Sequence, residues 1–223
     1  MGLDWRPLGK PKPGFEEKFN QLYRLIQGTE KIELSFLDKL KGKKIPSQDE
    51  LLQEWLAIQI PSYETIKAPK VGRDKVADDW LNAEYDKTDK SVSFEEYSQE
   101  HNGYYVIELA EETEGVPMYM AIGQDRNVFR AQFLDDCKEL IGEDLHNEAW
   151  KTKLSDETLN YGEQLLTIAD KVASDNNLLY LKGQRIPPES DEDNLESKVH
   201  ILYSASKWLT FYGKNGHGYE ADF

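Results

Sequence analysis

The chain has 223 residues, with 42 acidic and 27 basic side chains for a formal net charge of −15, and 39% of it is apolar. Five Trp, twelve Tyr and eight Phe exclude wholesale disorder, since disordered chains are poor in aromatics. No apolar run approaches the ~18 residues that a membrane span needs, and the length is ample for a self-supporting core.

Pro7, Gly9, Pro11, Pro13 and Gly14 mark residues 1–14 as an extended lead-in, because each proline biases its predecessor away from helix. Trp5 within it is too large and apolar for an idle tail and is expected to dock on the body. Phe15, Phe19, Leu22 and Ile26 recur on one face of a helix. A second helix is expected over Glu30–Leu40, with Ile32, Phe36, Leu37 and Leu40 inward. It ends at Gly42, with Lys39, Lys41, Lys43 and Lys44 offsetting the dipole around that exit. Ser47 with Glu50 is a capping box for a helix carrying Leu51, Leu52, Trp55 and Leu56, which Pro61 stops. Val76, Trp80 and Ala83 predict a shorter helix, and Ser93 with Glu96 caps another, closed by Asn102–Gly103.

Tyr104–Ala110 and Val116–Ile122 are rich in β-branched and aromatic residues, and five residues join them, which is hairpin length. Helix resumes near Asn127, with Phe129, Phe133, Cys137, Leu140 and Ile141 forming a stripe that ends at Gly142. Ser155, Asp156 and Glu157 open a helix whose inward face is Tyr161, Leu165, Ile168, Ala169 and Val172, terminated by Asn176–Asn177. Leu178–Lys182 reads as a third strand or an apolar loop. Residues 185–194 form an acidic loop ahead of a final helix over about 195–212, with Leu195, Val199, Leu202, Ala205 and Leu209 inward. The expected fold is mainly helical α+β: one compact domain over 1–223, with about seven helices and one β-hairpin (104–122). The acidic loop and a charge step near residue 76 are its only candidate seams.

That charge step is sharp. Residues 1–75 hold 14 Lys/Arg and 11 Asp/Glu, whereas residues 76–223 hold 13 and 31. An acidic surface repels phosphate backbones and anionic lipid, so no nucleic acid and no membrane is expected as partner. It either serves solubility or docks a basic protein partner. Cys137, the only cysteine, excludes intrachain disulfides, Cys-rich zinc sites and C-x-x-C redox chemistry. The first residues carry no apolar signal core, and Arg6 stands where a myristoylation pattern requires Ser or Thr, so the cytoplasm is the expected compartment.

Phosphate-binding, nucleophile-elbow, metalloprotease and dinucleotide motifs are absent from the sequence. Asp191, Asp193 and Glu196 resemble a calcium loop but lack its glycine, so no metal and no cofactor is expected. Cys137 with His146 could form a nucleophile and base, yet Cys137 falls on an apolar stripe and reads as core. His101 and His146 read as helix-end residues, and His200 is expected on the polar side of the last helix. His217 stands apart because Gly216 and Gly218 leave its ring unshielded, with Glu220 and Asp222 at +3 and +5. The alternative reading of that segment is a mobile, glycine-rich exit from the helix.

Two functions follow. The favoured one is a non-catalytic binding or inhibitor protein of the immunity type, using its acidic C-terminal surface to hold a partner. The other is a small-ligand or metal-binding enzyme at the C-terminal NGHGYEAD segment, with His217, Glu220 and Asp222 as its chemical set. In that case Trp5, Trp208, Tyr212 and His217 would line the ligand site, since pockets are mostly apolar with a few polar groups.

Overall fold

The computed structural model describes residues 2–32, 42, 44–111, 128–184, 186–188 and 194–223. Contacts divide it into two units, Met1–Leu8 with Ser62–Phe223, and Gly9–Pro61. Neither expected seam, at residue 76 or in the acidic loop, coincides with that division.

Strand β1 (Asp4–Pro7) opens the larger unit, and the lead-in continues as β2 (Lys10–Pro11) in the smaller one. Helix α1 (Glu16–Ile26) follows, with Phe19 and Leu22 buried as its periodicity requires. The capping box at Ser47 forms as expected: Ser47 Oγ accepts from Glu50 N, and Ser47 N donates to Glu50 Oε2 at 2.7 Å. It starts α2 (Gln48–Ala57), whose Trp55 stacks on Phe19 with centroids 5.1 Å apart. Leu52 and Leu56 of the same helix are exposed, so only half of its apolar set faces inward. Strand β3 (Gln59–Ile60) closes the smaller unit by pairing antiparallel with β2. The helix expected over 30–40 falls mostly outside the described residues.

The larger unit resumes with the short α3 (Ser62–Thr65), α4 (Lys75–Tyr85) and α5 (Phe94–Glu100). Ala77 and Leu81 turn α4 inward while Val76 is 56% exposed, so its buried face lies one residue on from the expected one. Ser93 caps α5 through Glu96, again with both halves of the box. The hairpin expected over 104–122 takes another form where it is described. Tyr105 makes an isolated bridge to Lys70, and Ile107–Leu109 coil into a 3₁₀ turn that buries Ile107. The expected second strand lies outside the described residues.

A 3₁₀ turn over Ala131–Asp135 leads into α6 (Lys138–Glu148). Gly142 breaks the helical conformation where the sequence places a stop, at φ 77° and ψ 164°, a conformation open to glycine, and helix resumes directly beyond it. Helices α7 (Ser155–Asp175) and α8 (Leu195–Lys214) form the centre of the unit. Their backbones approach closely because Gly162 faces Leu209 and Gly213 faces Leu159; a Cβ on either glycine would come within 2.9 Å of its neighbour. Ser206 Oγ donates to Gly162 O at 2.8 Å across this contact. Leu178–Lys182 is neither strand nor irregular loop, but mostly a 3₁₀ turn spanning Leu179–Gly183. Within the acidic loop, residues 185 and 189–193 are outside the described set.

The chain closes on β4 (Tyr219–Asp222), which pairs antiparallel with β1 in the register Trp5↔Ala221 and Arg6↔Glu220. Trp5 also bridges Phe129 on the other edge of β1, and Lys153 bridges Tyr219 on the outer edge of β4. The glycine-rich tail is therefore an ordered strand. With eight α-helices among the described residues and two small two-stranded sheets, the fold is α+β and mainly α, as expected. No described helix is long and apolar enough to cross a membrane.

Candidate functional site

The residues singled out near the C-terminus gather around β1. Trp5 is fully buried, 5.2 Å from the Phe129 ring, 4.9 Å from Tyr219 and 5.9 Å from Trp208, centroid to centroid. Trp208 in turn lies 4.5 Å from Tyr212, and Tyr212 lies 6.5 Å edge-on to His217. The structure thus brings Trp5, Trp208, Tyr212 and His217 together, but as closed core: none is more than 2% exposed.

His217 sits at the turn from α8 into β4. Its backbone N–H donates to Tyr212 O at 2.9 Å, and its ring Nδ1–H donates to Leu8 O at 2.9 Å. Glu220 and Asp222 do not join it. Alternation along β4 turns Tyr219 and Ala221 inward and sends Glu220 and Asp222 outward, where Asp222 pairs with Arg6 at 2.8 Å. Odd offsets of three and five place both carboxylates on the face opposite a buried residue. Among the described residues no group of three or more His, Cys, Asp or Glu is arranged to hold a metal ion.

The other histidines divide. His101 Nδ1 donates to Tyr97 O at 2.7 Å at the end of α5, the helix-end role expected of it. His146, near the end of α6, meets Asp135 at 2.6 Å instead of a terminal carbonyl. His200 is buried and not on a polar face, because α8 is packed on nearly every side. Its Nε2 donates to Gln184 O at 3.1 Å, and desolvation holds the ring below the ordinary histidine range. Cys137 is buried, with Sγ 3.5 Å from Lys198 O, as a core thiol.

An open groove of about 410 Å³ lies between α6 and α7. The carboxylates of Asp144, Glu148 and Glu157 line it, with the amides of Asn160 and Gln164 beside them. At its floor Lys153 has a side chain only 9% exposed, paired with Glu148 and 5.5 Å from the Tyr161 ring centroid. The bridge to Tyr219 positions that lysine, with Lys153 N donating to Tyr219 O and Tyr219 N donating to Lys153 O, each at 2.9 Å. Lys151 and Lys153 together hold the Glu148 carboxyl below its ordinary range, so it is an anion throughout neutral pH. Glu157 Oε2 accepts from Leu154 N at 3.2 Å, which fixes it at the start of α7. Tyr161 donates its hydroxyl to Leu145 O at 2.9 Å, and burial, with the Glu148 charge nearby, pushes its phenol far above the usual range. The groove thus presents three carboxylates, of which Glu148 pairs with Lys153 and Glu157 is held by the Leu154 backbone.

Sequence reasoning did not find this groove. Asp144, Glu148, Lys153 and Glu157 look like ordinary surface charges along two helix ends; the short connection from α6 into α7 sets them side by side, and the bridge from Lys153 to Tyr219, 66 positions on, holds the Lys153 backbone. An α+β, mainly helical fold with an acidic groove defines the class of protein that the geometry supports. Compared with known family models, curated proteins and solved structures, the chain matches none.

Proposed function

We propose that this is a non-catalytic cytoplasmic binding protein of the small acidic inhibitor, immunity-type kind, which holds a basic protein partner on the acidic surface of its larger unit. The observation that carries the reading is where the charge lies. Residues 9–61 hold nine Lys/Arg and eight Asp/Glu, whereas residues 1–8 with 62–223 hold 18 and 34. Such a segregated field raises the local concentration of cationic partners and steers their approach, and it repels phosphate and anionic lipid. The groove between α6 and α7 supports the same reading, because Glu148 and Glu157 are held by Lys153 and by Leu154 N before any partner arrives, which lowers the ordering cost on binding.

The test is retention of a partner by the immobilised protein at low and at high salt. A basic protein is held at low salt and released as salt rises. Asp144→Lys with Gln164→Lys, both exposed at the groove rim, slows its association by about tenfold or more. Retention of no protein at low salt overturns the proposal, as does a double variant that associates like the wild type.

A further inference from the structure

We draw no further inference here: the strongest candidate, the carboxylate-lined groove between α6 and α7 around Lys153, belongs to the site already described, and among the described residues no second observation there points to a particular ligand.

Discussion

The indole Nε1 of Trp5 donates to the carbonyl oxygen of Ala149 at 2.8 Å, joining positions 144 residues apart. Around that bond Trp5 packs on Phe129, Tyr161, Trp208 and Tyr219, which come from four other parts of the chain. Trp5→Ala is therefore expected to cost about 3–5 kcal/mol of unfolding free energy. Trp5→Phe keeps an aromatic ring in place but loses part of the indole's volume and leaves Ala149 O without its donor, at about 1–3 kcal/mol. Urea titration of both variants measures the losses. A midpoint unchanged by Trp5→Ala would remove the indole from any structural role.

Gly218 lies where β4 passes Lys153. A Cβ there would come 2.0 Å from Lys153 O, so Gly218→Ala forces the Lys153–Tyr219 bridge apart. The expected loss is about 1–3 kcal/mol. Gly183→Ala is the matched control, since nothing lies within 4 Å of its added methyl, and its stability is expected to stay level or rise slightly. Equal thermal midpoints for the two variants would contradict the close approach at Gly218.

His217→Ala deletes the ring that donates to Leu8 O, and the expected cost is about 1–3 kcal/mol. The loss is the same with or without added divalent cations, because Glu220 and Asp222 face away from the ring. Thermal-shift scans of wild type and variant against Zn²⁺ and Mn²⁺ measure this. A metal-dependent rise in the wild type that the variant lacks would make His217 a ligand after all.

Acid stability has two separate windows. Burial lowers the His200 pKa in the folded state, so the unfolded chain binds the extra proton first as pH falls. Stability on this account is level above the unfolded value of ~6.5 and declines below it, until the folded ring also takes up its proton. Glu148 is likewise lowered, but its contribution holds above the unfolded carboxylate value and is lost further down, as pH falls through its folded pKa. His200→Gln, which keeps a donor for Gln184 O, is expected to flatten the first decline and leave the second. Thermal midpoints taken from neutral pH down through the carboxylate range separate the two, and an unchanged slope in the variant across the first decline would clear His200 of the effect.

Much of the local structure is legible along the chain. Ser47 with Glu50 and Ser93 with Glu96 mark helix starts because a short side chain and a carboxylate three residues on satisfy each other's orphan backbone groups. The inward faces of α1 and α7 follow from apolar spacing, and Trp5 docks because so large an apolar surface cannot stay in water. These readings succeed because each depends on neighbours within a turn or two of helix.

The readings that fail depend on distant partners. His200 looks polar beside Ser204 and Lys207, but α8 is the central helix of its unit and has almost no solvent face. The NGHGYEAD segment resembles a loose tail until β1 offers it an edge, and pairing then decides which side chains turn inward. By itself the sequence determined most of the described helices, the capping boxes at Ser47 and Ser93, the buried cysteine and an acidic charge concentrated after residue 75, though not that the helix expected from Asn127 starts only at Lys138. Only the tertiary structure decided that the two chain ends share one sheet, that His217 is enclosed, and that Lys153 is buried beside Glu148. Backbone pairing between remote segments is specified by edges and register, and these leave no periodic trace in either strand alone.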